Sequence, residues 1–254
     1  MSESTRPLGS PWVWNQPSSL GDMTARPGML ARGPWRPDQV DVRWRDEAYQ
    51  PPAEIERLAD EAVTDLRQRG SPAHDGMATR LAGWRADRGR LELELQPARW
   101  ALRLVEDHAA SSMTALCVVR AADGRWLAGR RADWVSTWAN RWALGAGGAV
   151  DLGESPADTL GRELREEWQL EPERLTVEVL VVLPNGVAML VGLATVPDAC
   201  EPVPDAEHEQ WAWWPADVDR WPAEADERLC LMARLLQAPT APTGQDTPVP
   251  PRPQ

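Results

Sequence analysis

Three glutamates in one short segment have the spacing that a metal-binding helix face requires. Glu163, Glu166 and Glu167 stand at positions i, i+3 and i+4, and on a helix these positions share one face. Like charges placed so closely repel one another unless cations lie between them, and carboxylate oxygens are ligands that Mg²⁺ binds in proteins. The spacing therefore predicts a magnesium site built on a helix.

The residues that flank the three glutamates extend this pattern. The run from Gly148 to Leu170 reads GAVDLGESPADTLGRELREEWQL and places Glu154 and Arg162 at fixed distances from the acidic positions. A solvated acidic helix face would explain the three glutamates, but it would explain neither Glu154 nor the Gly-Gly turn. The run resembles the Nudix box, the signature of a family that cleaves diphosphate linkages, at every position except Gln169, where the family has a glycine.

The resemblance implies a set of ligands and a reaction. In the Nudix family, the residues at the positions of Glu163, Glu166 and Glu167 bind divalent cations, usually Mg²⁺ with Mn²⁺ as a substitute, and the carbonyl of Gly147 completes the shell. The implied activity is that of a pyrophosphohydrolase. The metal lowers the pKa of an attacking water, and Glu163 or Glu166 accepts the proton of that water. Arg162 is expected to orient the glutamates rather than to contact the substrate.

Other acidic residues are weaker candidates for the site. Glu154 either holds Arg162 or binds the metal through water. Glu207 and Glu209 lie in the segment AEHEQWAWW, which resembles the last loop of the family before a strand, and either is a candidate metal ligand or general base. The alternative is an exposed acidic loop. His208 stands between these two acids, and the sequence gives no reason to assign it a catalytic role.

The charge of the chain bears on its partners. The formal net charge is −12 and the isoelectric point is about 4.8, whereas a protein that binds a nucleic-acid polymer usually has a basic field. We therefore expect a small-molecule diphosphate substrate. An acidic protein that handles such anions needs local cations. Arg130 and Arg141 lie near the box and are candidates for contacts with substrate phosphates; the alternative is that each is a solvated surface arginine.

Neither a membrane span nor a signal peptide is expected from the sequence. No stretch approaches the ~18 apolar residues that cross a membrane, and the start, MSESTRPLGS, lacks a basic region followed by an apolar one. Cys117, Cys200 and Cys230 are far apart and have no metal-ligand spacing. We expect a cytoplasmic protein with reduced thiols. The oligomeric state is left open, and a homodimer is compatible with the sequence.

The organisation of the chain predicts an α/β protein. Residues 1–40 are expected to be irregular, 41–110 to form a small α+β unit, 111–238 to form the Nudix domain, and 239–254 to be a disordered proline-rich tail. By resemblance, the Nudix part is an α/β/α sandwich with a mixed sheet. Helices are predicted from Pro52 to about Gln68, from Pro156 to about Trp168, and from about Pro222 to Gln237.

The sequence is compatible with three functions. A loose resemblance of the segment VRWRDEAYQPPAEIERL to a branch with UDP-sugar cleavage favours hydrolysis of a nucleoside-diphosphate-X substrate, with nucleotide sugars first. The departures at Ala146 and Gln169 weakly motivate a nucleotide-sensing module without turnover. The stretches LGAGG and WVSTWANRW resemble the branch of isopentenyl-diphosphate isomerase. That enzyme uses a cysteine around the turn that corresponds to residues 146–149, where this chain has none, so isomerisation is disfavoured.

Overall fold

The computed structural model describes residues 28–70, 75–87, 89–105 and 109–238 of the chain. The helices in these residues are α1 (Ala53–Gln68), α2 (Pro156–Trp168) and α3 (Glu227–Gln237). The strands are β1 (Gly28–Trp35), β2 (Val40–Trp44), β3 (Met77–Asp87), β4 (Arg90–Arg99), β5 (Met113–Ala121), β6 (Trp126–Arg131), β7 (Trp142–Leu144), β8 (Ala146–Ala149), β9 (Arg174–Val182), β10 (Ala188–Val196) and β11 (His208–Trp214).

A large mixed sheet forms the centre of the protein. Its strands follow the order β1-β9-β10-β5-β6-β11, with β7 paired to β6 and β8 paired to β5. Strands β10 and β5 pair in parallel. The pairs β1–β9, β10–β9, β11–β6, β5–β6, β5–β8 and β6–β7 are antiparallel. The pairing of β8 with β5 fixes the Gly147–Gly148 segment beside the middle of the sheet.

The two faces of this sheet are covered by different helices. Alternate residues of a strand point to opposite faces, so Cys117 packs in the cluster that contains Leu160, Leu164 and Trp168 of α2, whereas Val118 packs in the cluster that contains the buried residues of α3. The sheet therefore lies between α2 and α3. This layering is the α/β/α sandwich that the sequence predicts.

The N-terminal unit is a three-stranded sheet with one helix. Its strands follow the order β2-β4-β3, and α1 packs against a short 3-10 helix at Trp100–Leu104. Leucines of β4 share one hydrophobic cluster with α2 and the large sheet, and the Leu81 amide donates to the carbonyl of Ser111 at 2.9 Å. The unit is thus packed on the α2 side of the protein.

One part of the N-terminal prediction is wrong. Residues 28–35 were expected to be irregular, but they form β1, which pairs antiparallel with β9 at the edge of the large sheet. α3 also begins later than predicted, at Glu227, because the Asp226 side chain caps it by accepting from the Arg228 amide. Residues 1–27 and the predicted tail, 239–254, lie outside the described residues.

Within the described residues, no helix combines the length and the apolar character that crossing a membrane requires. The three cysteines are free thiols. Burial raises the pKa of the Cys117 thiol to about 12, so this side chain behaves as a small apolar residue of the core.

Candidate active site

Local sequence determines both ends of the acidic helix. At the start of α2, the Ser155 hydroxyl accepts a hydrogen bond from the Ala157 amide at 3.2 Å, and Pro156 occupies the first turn, where its missing N–H is not needed. At the end, Gln169 has φ 53° and ψ 35°. This is the left-handed conformation that a glycine usually supplies, and it costs another residue about 1 kcal/mol. The departure from the Nudix pattern changes the backbone energy but removes no acidic side chain.

Arg162 lies at the centre of a network of carboxylates. Its guanidinium donates to both oxygens of Glu154 at 2.9 and 3.1 Å, and it contacts Glu163 at 2.8 Å and Glu166 at 2.9 Å. It also donates to the carbonyl of Ala149 at 3.2 Å. Burial opposes the ionisation of Glu154, but hydrogen bonds from Arg162 and Thr159 outweigh it and lower the Glu154 pKa. The structure therefore places Glu154 against Arg162 and holds Glu166, 58% exposed, at the rim.

Glu163 and Glu167 form a buried pair of carboxyl groups. The Glu167 side chain is only 5% exposed, and its Oε1 accepts a hydrogen bond from the Gly147 amide at 3.0 Å. Glu163 packs against Gly148, where a Cβ atom would lie 2.2 Å from Oε1 of Glu163. Burial raises the pKa of both carboxyl groups, that of Glu167 well above its ordinary value, although Arg162 opposes the shift at Glu163 and Arg131 opposes it at Glu167.

These residues fit a divalent cation chemically. Oε2 of Glu167 is buried and has no hydrogen-bond partner among the described residues, and a buried carboxylate oxygen without a donor is costly unless a cation or proton meets it. Carboxylate and carbonyl oxygens are the donors that Mg²⁺ takes. Among residues 28–70, 75–87, 89–105 and 109–238, no three acidic, histidine or cysteine side chains already converge as a metal cluster; Glu166 instead lies against Arg162. The assignment of Glu163, Glu166, Glu167 and the Gly147 carbonyl as ligands stays a prediction.

The two downstream acids lie in different places. Glu207 accepts from Arg131 at 2.8 Å, and the same guanidinium lies 4.0 Å from Glu167. Glu209 instead contacts Arg130 at 3.6 Å. Because adjacent residues of β6 point to opposite faces of the sheet, Glu207 lies on the side of α2 and Glu209 on the side of α3. Of the two candidates, the geometry brings only Glu207 near the acidic helix.

Arg130 and Arg141 line one cavity of about 380 Å³. Asn140, Trp142 and Asp226 also line this cavity, which lies beside the start of α3. Arg141 contacts Asp226 at 3.8 Å, and its side chain is 57% exposed. The cavity is within the size range of pockets for small ligands. The fold thus brings together, on the α3 side of β6, the two arginines that were predicted from the sequence to contact substrate phosphates.

Two residues near the glutamates had no assigned role in the sequence. His208 is buried, with Nε2 at 3.7 Å from Oε2 of Glu167. In the sequence, the feature that could have drawn attention to His208 is its position beside Glu207. Arg103, in the 3-10 helix of the N-terminal unit, is partly buried; burial lowers its pKa, while the charge of Glu163 opposes that shift. No local pattern could have located Arg103, because its neighbours come from long-range packing.

Comparison with known proteins agrees with this arrangement. Residues 111–231 match the family model for the NUDIX domain. Residues 111–231 are therefore a Nudix domain, and this domain contains the box on α2. A search of the curated proteins finds no significant match.

Several solved structures are similar to about half of the chain. DR0079 from Deinococcus radiodurans is 20% identical, with a TM-score of 0.40, over 48% of this chain and 81% of that one. The MutT protein from Methanosarcina mazei is 20% identical, with a TM-score of 0.37, over 48% and 92%. The Nudix domain of Shewanella oneidensis NrtR, solved with ADP ribose, is 24% identical, with a TM-score of 0.39, over 49% and 86%.

Proposed function

We propose that the protein hydrolyses a diphosphate linkage in a small nucleoside-diphosphate-X molecule, with Mg²⁺ as its cation and Mn²⁺ as a substitute. The substrate class that we favour is the nucleotide sugars. The observation that carries the proposal is the buried Glu163–Glu167 pair beside the Gly147–Gly148 segment, with an oxygen of Glu167 that no described donor meets. Burying two carboxyl groups side by side destabilises a fold, and a cation-dependent reaction gives a reason to keep them.

Each residue of the site has a proposed part in the reaction. Glu163, Glu166, Glu167 and the Gly147 carbonyl would hold the cation, and Arg162 keeps Glu163 and Glu166 in place. A bound divalent cation would offset charge on the diphosphate and lower the pKa of an attacking water. Glu163 or Glu166 then accepts the proton of that water. Glu207 is an alternative acceptor, since Arg131 holds it on the side of the acidic helix.

The cavity lined by Arg130 and Arg141 lies on the α3 side of β6, and its polar lining suits a substrate with a polar group beyond the diphosphate. Arg130 and Arg141 would hold phosphate oxygens, while Asn140 and Asp226 offer partners for hydroxyl groups. Arg130 and Arg131 are neighbours at the end of β6, and their side chains lie on opposite faces of the sheet. The acidic charge of the chain favours a small substrate over a nucleic-acid polymer.

The test is the release of phosphate or nucleotide from a panel of UDP- and ADP-sugars, dinucleotides, nucleoside triphosphates and coenzyme A. Each compound is assayed with Mg²⁺ and with Mn²⁺. Glu166→Gln and Glu167→Gln are assayed in parallel, and circular dichroism verifies that each variant keeps its fold. We expect turnover of one class, nucleotide sugars, with at least a ~100-fold loss in both variants.

Two outcomes would overturn the proposal. Undiminished turnover in both variants would show that the acidic helix is not the catalytic centre. Nucleotide binding, seen as a rise in melting temperature, without turnover at either metal would instead favour the sensing module. Turnover of another class in the panel would keep the hydrolase and correct the substrate.

A further inference from the structure

The loop that carries His208 is attached to the end of the acidic helix. The Val203 amide donates to the carbonyl of Trp168 at 3.0 Å, and the Asp205 amide donates to the carbonyl of Glu167 at 2.9 Å. These bonds satisfy two carbonyls at the end of α2, which the helix itself leaves without partners. The position of His208 relative to Glu167 is therefore set by main-chain bonds and does not depend on a mobile side chain.

The imidazole of His208 occupies a tightly defined slot. Its side chain is 1% exposed, and its ring lies against the Trp168 ring with a centroid separation of 4.4 Å. Gly129 forms the floor of this slot, since a Cβ atom there would lie 2.4 Å from Cδ2 of His208 and 2.7 Å from the Trp168 ring. Residue 129 must lack a side chain for the imidazole to sit where it does.

Asp205 fixes the orientation of the ring. Its Oδ1 lies 3.3 Å from Nδ1 of His208 and accepts the Glu207 amide at 2.9 Å. Because Asp205 already acts as an acceptor, the hydrogen between it and the ring belongs to Nδ1 of His208. The other ring nitrogen, Nε2, then points toward Glu167.

Nε2 of His208 lies closer to Oε2 of Glu167 than the nearest nitrogen of Arg131 does, which is 4.0 Å from the same oxygen. Nε2 and Oε2 are 3.7 Å apart, and each is buried and lacks a hydrogen-bond partner among the described residues. A shift of less than about 1 Å would bring them to hydrogen-bonding distance. A histidine kept only for packing would leave Nε2 unsatisfied, which an apolar side chain of similar size would avoid.

The geometry points to His208 as a positioning residue that fixes the carboxyl plane of Glu167 for cation binding. The inference rests on the proposed function, because it assigns Glu167 to the metal site. The chain of contacts runs from Asp205 through His208 to Oε2 of Glu167, while the Gly147 amide holds Oε1. With both oxygens restrained, the carboxyl group does not have to be ordered again each time a cation binds.

The experiment compares two amide replacements of the histidine in the full chain. His208→Gln places an amide near the position of Nε2 and can still reach Glu167, whereas His208→Asn places it near Nδ1 and reaches only Asp205. Mn²⁺ binding is measured directly from the electron paramagnetic resonance signal of free Mn²⁺, and the Mg²⁺ concentration for half-maximal turnover is measured separately. We expect both constants to rise at least ~10-fold in His208→Asn and less than ~3-fold in His208→Gln.

Asp205→Ala provides a second, independent variant. It leaves the imidazole in place but removes the group that orients it, so we expect weaker Mn²⁺ binding. The double variant Asp205→Ala/His208→Asn should bind Mn²⁺ no worse than His208→Asn alone, since both changes break one chain of contacts. Gln210→Ala, an exposed change on the same strand, is the control and should leave both constants unchanged.

The outcomes separate this inference from the proposed function. If the unaltered protein binds Mn²⁺ and turns over substrate while His208→Asn matches it in both constants, His208 does not position Glu167. Equal losses in His208→Gln and His208→Asn, with lowered melting temperatures, would also overturn the inference, because they would indicate packing alone. If the unaltered protein neither binds Mn²⁺ nor turns over any compound, the proposed function itself fails.

Discussion

Gly148→Ala tests whether the position of the Glu163 carboxyl group matters for catalysis. The added Cβ atom would lie 2.2 Å from Oε1 and 2.5 Å from Cδ of Glu163. Restoring an ordinary contact requires the carboxyl group to retreat by about 1.2 Å, and moving a side chain off its preferred rotamer costs about 0.5–1.5 kcal/mol. A displacement of about 1 Å at a reacting centre can cost ~100-fold in rate. We therefore expect a small loss of stability and a large loss of kcat/KM.

The assay pairs kinetics with unfolding by urea, and Gly161→Ala is the matched control. Gly161 lies inside α2, where a Cβ atom would meet only the end of the Arg165 side chain at 3.4 Å. Alanine in a helix interior is favoured over glycine by about 0.5–1 kcal/mol, so the control should be slightly more stable and fully active. If Gly148→Ala keeps more than about a third of kcat/KM, the reasoning about Glu163 is refuted.

Three further predictions concern the charges of the site. In Arg162→Lys, the lysine cannot form the paired hydrogen bonds to Glu154. We therefore expect the free energy of unfolding to fall by about 1–3 kcal/mol and kcat to fall at least ~10-fold. Unchanged values of both would show that the guanidinium geometry is dispensable. Burial raises the Glu167 pKa above its ordinary value of 4.5, so ionisation of this group opposes folding once the pH rises through the folded-state pKa. Without added cations, Glu167→Gln should therefore gain melting temperature over the unaltered protein as the pH rises above the ordinary pKa of 4.5; parallel pH profiles would contradict this. Arg130→Ala and Arg141→Ala should each raise KM about 10-fold at nearly constant kcat, and an unaltered KM would argue against the cavity as the phosphate site.

The parts of the fold that local sequence encodes were predicted well. α2 spans the predicted residues because Ser155, Pro156 and the turn at Gln169 mark its ends in the local sequence. β1 could not be predicted in this way. Its sequence, GMLARGPW, contains two glycines and a proline, and only pairing with β9 makes it a strand. Burial against a distant partner outweighed a poor local propensity.

In the candidate site, too, local sequence predicts some features, and contacts between distant parts of the chain determine the others. The spacing of the box locates Glu163, Glu166 and Glu167 on one helix, but it does not reveal that Glu166 is exposed while Glu167 is buried. A register shift between His208 and Gln210 in the pairing of β11 with β6 accompanies the separation of Glu207 and Glu209 onto opposite faces. The position of His208 depends on a loop that binds the end of α2, on the missing side chain at residue 129 and on the Trp168 ring. All of these are contacts across the chain.

The balance of charge around α2 gives a physical reason for the cation dependence that we propose. Arg162 has one positive charge, yet it contacts the carboxylates of Glu154, Glu163 and Glu166. Arg131 contacts Glu207 closely and Glu167 only at 4.0 Å. The single charge of Arg162 is therefore shared among three carboxylates, and Arg131 lies closer to Glu207 than to Glu167. Where water is excluded, a divalent cation gains more from each ionised carboxylate than it would at an exposed site. On the proposed function, the cation would therefore be held mainly by Glu163 and Glu167, with Glu166 as the ligand at the rim.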